Sequence, residues 1–184
     1  SKLKMINFPK KLESIGAYAF FSFSAFVGTP KIPESVTEIG YYAFVNTGCN
    51  AKTTWGFNVA YSYEGEGYAK WLLAASFAQE WTNFAIEKNT IGIAGGAFRG
   101  YMGTGQLILG DTDNRTLKYI GNSAFAYNTW SSIAKLEYTQ VKTIGTSAFN
   151  NCPNLSGTIR LPNTIENIGA TAFVNAKISS LAID

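Results

Sequence analysis

The sequence predicts a β-rich solenoid in which about seven coils stack on one another, each with a short parallel strand. The first observation is a six-residue phrase, Ile-Gly-x-x-Ala-Phe, in which Ala replaces Gly once. The second is its period, which is 24 residues from Phe20 to Phe44, Phe125 to Phe149 and Phe149 to Phe173, and 27 from Phe98 to Phe125. Such a period is typical of stacked repeats, because a single coil cannot bury its own apolar face. The phrase occupies positions 15–20, 39–44, 93–98, 120–125, 144–149 and 168–173.

A strand is predicted upstream of each phrase. In the stretches that end at Pro9, Pro33 and Pro162, apolar residues alternate with polar ones, which is typical of a short strand with one buried face. Each Pro stands 11 residues before a phrase Phe (20−9, 44−33, 173−162) and ends the strand, because proline has no N–H to donate.

The phrase itself predicts a tight turn and an aromatic core. Its Gly allows a close approach of backbones or a positive φ, and its Ala is small enough to lie between stacked coils. Its Phe fills the interior, so we expect successive Phe rings to stack as a ladder along the solenoid axis.

These residues resemble the BspA-like leucine-rich repeats of bacterial and protist surface proteins. The best match is Leu161-Pro162-x-x-Ile165-x-x-Ile168-Gly169-x-x-Ala172-Phe173, and Cys152 occupies the trailing cysteine of the family pattern. The likeness covers about residues 3–44 and 81–184. It implies a right-handed leucine-rich-repeat stack, an extracellular or bacterial cell-surface location, and adhesion to host or matrix proteins.

The stretch 45–80 departs from the repeat. Alternating aromatic residues predict a strand in an irregular insertion at about 46–66. Leu72-Leu73-Ala74-Ala75-Ser76-Phe77 then reads as a degenerate phrase, which completes seven coils; a short amphipathic helix at about 67–80 is the alternative. We interpret residues 1–184 as one solenoid domain. Because neither end has the sequence of a cap, we expect it to be a piece of a longer protein.

Composition excludes several classes of site. The chain has no histidine, which removes Ser-His and Cys-His nucleophiles and His-ligated metal, and its net charge is only +3. The carboxylate pair Glu64 and Glu66 lies between glycines and reads as a solvated loop rather than as glycosidase chemistry. The segment 110–114 fails as a calcium loop, because Asn122 stands where the bidentate acid belongs. We therefore predict no catalytic residue, no metal and no cofactor.

Cysteine and charge patterns complete the expectations. Cys49 and Cys152 should lie about four coils apart, roughly 19 Å at strand spacing, which is too far for a disulfide. The outward strand row is mixed in charge, so we expect no nucleic-acid partner, and no segment is long and apolar enough for membrane insertion. That row is Asn7, Lys31, Ala85, Ile108, Glu137 and Arg160. We expect a monomer.

Aromatic residues outside the Phe column are the candidate binding residues, since loop aromatics offer large, rigid contact area. They predict a non-enzymatic recognition module for a protein or glycan ligand. A structural spacer without a ligand is the alternative, in which the same side chains pack locally against the coil edge; a carbohydrate-active enzyme is more distant. The predicted binding residues are Trp55, Tyr61, Tyr63, Tyr127 and Trp130.

Overall fold

The chain is a β-solenoid of about seven turns with parallel strands and almost no helix, as predicted. The computed structural model describes residues 2–49, 51–54, 57–77, 83–102, 104–113 and 115–183. A single 3-10 turn within them spans Leu136–Tyr138. The strands are β1 (Ser14–Ile15), β2 (Glu38–Ile39), β3 (Ala51–Thr54), β4 (Phe57–Tyr61), β5 (Lys70–Phe77), β6 (Asn83–Ala85), β7 (Thr90–Ile93), β8 (Gln106–Ile108), β9 (Tyr119–Ile120), β10 (Ser132–Ala134), β11 (Thr143–Ile144), β12 (Ser156–Leu161), β13 (Asn167–Ile168) and β14 (Lys177–Ile183).

Two rows of parallel strands run along the solenoid. The first row brings the phrase Ile residues into register, with Ile15 opposite Ile39, and with Ile93, Ile120, Ile144 and Ile168 opposite one another in turn. The second row contains β6, β8 and β10, which pair in register, and the longer pair β12 and β14. A parallel bridge between Asn7 and Lys31 belongs to the same row in the first coils.

The phrase Phe residues form the predicted ladder. Phe20 stacks on Phe44 at a centroid distance of 5.1 Å, and the Phe125–Phe149 and Phe149–Phe173 distances are 5.2 and 5.3 Å. Their planes differ by 23°, 10° and 5°, so these rings are nearly parallel, whereas Phe98 is tilted by 36° against Phe125 at 5.9 Å. The coils are therefore held together by a continuous apolar interior as well as by backbone hydrogen bonds.

Glycine at the second position of the phrase is required by the closeness of the coils. A Cβ on Gly145 would lie 2.6 Å from the backbone N of Asn122, and one on Gly169 would lie 2.4 Å from the N of Thr146. Real Cβ atoms do not approach other atoms this closely. The backbone N–H of Gly145 also donates to the Ile120 carbonyl at 2.8 Å, which fixes the spacing of the two coils.

β5 follows the predicted register and then leaves the repeat. Leu72 lies opposite Ile93 in a parallel pair, so it occupies the Ile column as expected. Beyond it the chain stays extended instead of turning, because β4 pairs with β5 in antiparallel fashion and satisfies its backbone groups, and β3 extends the sheet. The alternative of a helix at about 67–80 is therefore wrong.

The structure contradicts the predicted position of Glu137 and confirms that the two cysteines are unbridged. Glu137 does not lie in the outward strand row, because the 3-10 turn at Leu136–Tyr138 places the strand earlier and Ala134 pairs with Ile108 instead. Cys49 and Cys152 are both buried and unbridged, as predicted. The Cys152 thiol donates to the Phe125 carbonyl at 3.2 Å, and burial raises the pKa of this thiol to about 11.

Candidate functional site

The predicted binding aromatics separate into buried and exposed residues. Trp130 is only 1% exposed and packs on Tyr101 at 4.5 Å and on Phe98 at 6.1 Å, so it lies in the core. Tyr61 is 8% exposed, and its hydroxyl accepts the Glu87 N–H at 3.0 Å. Tyr63 and Tyr127 are 43% and 46% exposed. A surface role is open to these two, whereas Trp55 lies outside the described residues.

Tyr63, in the loop between β4 and β5, contacts one cation and one aromatic ring. The Lys31 ammonium lies 4.9 Å from the Tyr63 ring and 5.4 Å from the Tyr68 ring, and the two rings meet edge to face at 6.1 Å. Each contact is geometrically a cation–π or aromatic pair. Tyr63 is therefore exposed but already engaged with neighbours of its own chain.

The carboxylate of Glu64 is held by charge partners. Lys70 Nζ lies 3.0 Å from Glu64 and 3.2 Å from Glu87, and Asn89 Nδ2 donates to Glu64 at 2.7 Å. The hydrogen bond from Lys70 lowers the pKa of Glu64. Glu66 lies in the exposed turn that follows. A glycosidase acid requires a raised pKa, so the environment of Glu64 acts in the opposite direction.

A group of exposed and half-buried aromatic residues lies on the turns of the phrase. Tyr18 meets Phe21, Tyr41 and Tyr42 edge to face at 5.5, 5.6 and 6.0 Å, and Tyr42 stacks on Phe21 at 5.9 Å and on Tyr41 at 4.0 Å. Tyr18, Phe21 and Tyr127 are among the most exposed large side chains described. We call this surface the turn-face patch; its residues are Tyr18, Phe21, Tyr41, Tyr42, Arg99 and Tyr127.

Arg99 joins Tyr127 to the rest of the turn-face patch. Its guanidinium carbon lies 4.3 Å from the centre of the Tyr127 ring, and Nη1 donates to the Tyr42 hydroxyl at 3.4 Å. Burial, followed by the hydrogen bond with Tyr42, raises the pKa of Tyr41 to about 12, so its hydroxyl stays protonated at neutral pH. The patch thus presents phenol rings around one cation, the Arg99 guanidinium.

Three tyrosines of the patch stand at positions of the turns where the backbone is left-handed. Two positions of every turn, two residues before and two after the phrase Phe, have positive φ. Tyr18 and Tyr42 take the first position with φ of 57° and 56°, and Tyr127 takes the second with φ of 61°. Gly and Asn are the residues that adopt this conformation most readily, whereas bulky residues are strained there. Other coils have Gly96, Ser123, Ser147 and Thr171 at the first position, and Ser22, Asn46, Gly100, Asn151 and Asn175 at the second.

Sequence analysis alone found only Tyr127 of this patch. Tyr18, Phe21 and Arg99 occupy positions that vary between repeats, so the repeat pattern carries no signal for them. The structure supplies the missing signal, because it shows which of these side chains are exposed and which contact one another across neighbouring coils.

Two other kinds of site are absent from the described residues. No group of three or more His, Cys, Asp or Glu side chains placed to hold a metal ion occurs among them. Asp111 instead closes a local turn, in which its Oδ1 accepts the Asp113 N–H at 2.8 Å. Within the same residues, no helix has the length and hydropathy needed to cross a membrane.

Comparison with known proteins identifies the repeat. The family model of the BspA type leucine rich repeat region matches in six copies over residues 1–60 and 75–184. A leucine rich cell surface protein from Faecalibacterium prausnitzii A2-165 has a similar fold, with a TM-score of 0.53 and 20% identity. That match covers 99% of this chain and 54% of the solved chain, so this chain spans about half of its length. No curated protein matches. Because the family model covers most of the residues, the chain belongs to the BspA-type leucine-rich repeat family.

Proposed function

We propose that this chain is a non-enzymatic recognition module on a bacterial cell surface, which binds a protein or glycan ligand through the turn-face patch. One observation carries the proposal: three tyrosines stand at left-handed turn positions where other coils have Gly, Ser, Thr or Asn. Backbone strain of this kind costs about 1–3 kcal/mol per residue and clusters at functional sites. These rings therefore cost stability, and a binding role accounts for their presence.

The composition of the turn-face patch suits recognition. Tyr and Arg are the residues most enriched among binding hot spots, because they combine a large apolar area with a polar group. The rings already contact one another, and Arg99 is held by Tyr42 and Tyr127, so little side-chain entropy remains to be lost on binding. The patch also draws on separate coils that the stack holds in fixed positions. A ligand would meet a preformed surface.

The cell-surface location is inferred from the comparisons. The similar solved structure is that of a leucine rich cell surface protein, and the family is associated with cell surfaces. A surface-exposed repeat domain with an aromatic patch has direct access to soluble and matrix ligands.

A structural spacer is the second candidate, and the burial of Tyr61 favours it. A spacer needs aromatic residues only as filler, and Tyr61 packs into the core with its hydroxyl bound to the Glu87 backbone. Tyr18 and Tyr127 of the turn-face patch are 53% and 46% exposed, so these two rings are not core filler.

The test replaces patch residues with those found at the same positions in other coils. The double variant Tyr42→Ser, Tyr127→Asn keeps residue types that the other turns already tolerate, as in Ser147 and Asn151. Binding is measured by biolayer interferometry against immobilised matrix proteins and a glycan array. Loss of a central hot spot costs about 2 kcal/mol, so we expect affinity for any ligand found to fall about 30-fold.

The matched control is Tyr63→Ser, which removes a tyrosine of almost the same exposure as Tyr127 from the loop between β4 and β5. We expect it to leave binding unchanged. No binding to any ligand by a folded protein, or equal loss in the control and the double variant, would reject the patch as the recognition surface.

A further inference from the structure

A groove of about 360 Å³ runs along the solenoid beside the first strand row. Its lining includes Gly121, Gly145 and Gly169, one from each of three successive coils. We call it the glycine groove. The six residues of the turn-face patch are not among those that line it, so it is a separate surface. Its lining also includes Trp71, Tyr119, Asn122, Thr143, Thr146 and Asn167.

The floor of the glycine groove is bare backbone for a physical reason. A Cβ on Gly121 would lie 2.6 Å from the backbone N of Gly95, and the corresponding distances at Gly145 and Gly169 are equally short. The N–H groups of these glycines are used between coils, since they donate to Ile93, Ile120 and Ile144 at 2.7–2.9 Å. A ligand in the groove therefore meets a flat floor, and polar recognition falls to the side chains along its walls.

Those walls present polar groups that the protein itself does not use. Within the described residues, the hydroxyls of Tyr119, Thr143 and Thr146 and the side-chain amide of Asn167 have no hydrogen-bond partner. Asn122 Oδ1 accepts the Thr146 N–H at 2.8 Å, which orients the amide and leaves its Nδ2 as a donor. Tyr119, Thr143 and Asn167 lie opposite one another in register. They thus form a row of donors and acceptors at the strand spacing of about 4.8 Å.

One end of the groove is aromatic. Trp71 lies across Gly92, where a Cβ would be 2.3 Å from its ring, and reaches Tyr119 with a centroid distance of 5.8 Å and planes 3° apart. Trp71 is 1% exposed, and its indole N–H has no partner among the described residues. The Trp71 indole is therefore part of the core at this end of the groove, and the half-buried Tyr119 ring is the one that a ligand in the groove can contact.

The charge of the groove defines the ligand class. Glu38 is the single charged residue among the residues that line it. An anionic polymer such as a nucleic acid would require a basic lining. The Tyr119 ring at one end, together with hydroxyl and amide groups repeated along the walls, complements a chain with apolar ring faces and regularly spaced hydroxyls. From this geometry we infer that the glycine groove binds a neutral oligosaccharide, with its chain along the solenoid axis.

The experiment is an NMR titration of the ¹⁵N-labelled protein with soluble neutral hexasaccharides. The probes are cellohexaose, xylohexaose, maltohexaose and hexa-N-acetylchitohexaose. We expect at least one to shift the Trp71 indole N–H signal and the backbone amide signals of Gly121, Gly145 and Gly169. Trp71→Phe assigns the indole signal.

Two substitutions test the position of the site. Tyr119→Ala removes one ring of the aromatic pair, and Thr146→Arg places a long side chain over the groove from an exposed position. Each should weaken the affinity of that hexasaccharide about tenfold or more, which corresponds to about 1.4 kcal/mol. Thr146→Arg remains decisive if Tyr119→Ala fails to fold, because Thr146 is outside the core.

The control is the double variant Tyr42→Ser, Tyr127→Asn, which should bind the hexasaccharide as the parent protein does. This keeps the inference distinct from the proposed function, whose failure would leave the titration unaffected. The inference is overturned if none of the hexasaccharides shifts the groove signals, if the shifts lie elsewhere, or if Thr146→Arg leaves the affinity unchanged. Binding of a peptide, but of no sugar, in the groove would also overturn it.

Discussion

Replacing Gly145 with Ala should destabilise the stack, whereas the same change at Gly16 should stabilise it. Both residues occupy the second position of the phrase, and neither has a left-handed φ. A Cβ on Gly145 would lie 2.6 Å from the N of Asn122 and 2.6 Å from the C of Gly121, whereas one on Gly16 meets nothing within 4 Å. The two sites therefore differ in whether a preceding coil lies against the position of the Cβ.

The magnitude follows from these distances. Ordinary contacts begin at 3.4 Å, so the backbone of the adjacent coil must move by 0.8 Å (3.4−2.6). Overpacking of this kind typically costs about 1–3 kcal/mol. Both substitutions also restrict the unfolded chain, which stabilises each variant by about 0.4–1 kcal/mol. This second contribution cancels in the comparison, so the free energies of unfolding of the two variants should differ by about 1–3 kcal/mol.

The assay is urea denaturation of both variants and the parent protein, followed by circular dichroism. With a slope of about 2 kcal/mol/M, the two midpoints should differ by about 0.5–1.5 M. Equal midpoints, or a Gly145→Ala variant more stable than the parent, would refute the reasoning that close coil contact imposes glycine at this position.

Three other changes should have measurable effects. Phe149→Ala, which removes the ring between Phe125 and Phe173, should lower the free energy of unfolding by about 3–5 kcal/mol in urea denaturation, and a loss below 1 kcal/mol would contradict the ladder. The raised pKa of Cys152 makes the folded state bind its proton more tightly, so the contribution of this thiol to stability should be constant below pH 9 and fall between pH 9 and 11; Cys152→Ala should remove that part of the fall. An unchanged pH profile in Cys152→Ala would contradict this cause. Tyr127→Gly should raise the thermal midpoint by about 2–4 °C by relieving a left-handed backbone while weakening ligand binding, and a lower midpoint would show that the ring contributes more than the strain costs.

The ladder and the strand rows could be predicted because they depend on residues that recur in every coil. The Ile and Phe columns repeat at 24 residues, and each column has one physical role, which makes the register visible in the sequence. The same logic placed Leu72 in the Ile column, and the parallel pair with Ile93 confirms it.

The path of the chain after Leu72 could not be predicted from the same pattern. Apolar residues follow one another in β5, and a short apolar run of this kind fits a strand, a turn or a helix. The run forms a strand because of β4, which lies earlier in the chain and supplies antiparallel hydrogen-bond partners. This contact is a tertiary one that local pattern does not contain.

The candidate site was only partly visible for a related reason. Trp130 has polar neighbours, which predict an exposed loop, yet Asn128 turns inward and its Oδ1 accepts the Tyr101 N–H at 2.6 Å. Tyr127 is 46% exposed, whereas Trp130, three residues later, packs in the core. Which aromatic side chain faces solvent thus depends on the path of the loop, which the local sequence pattern does not contain.

We propose that the strained turn tyrosines form a recognition surface. A comparison of ligand binding by matched tyrosine variants tests this proposal. The parent protein, the double variant Tyr42→Ser, Tyr127→Asn and the control Tyr63→Ser are tested on the same immobilised matrix proteins and glycans. We expect saturable binding by the parent and the control, and about 30-fold weaker binding by the double variant. Equal binding by all three proteins, or no binding by the folded parent, would contradict it.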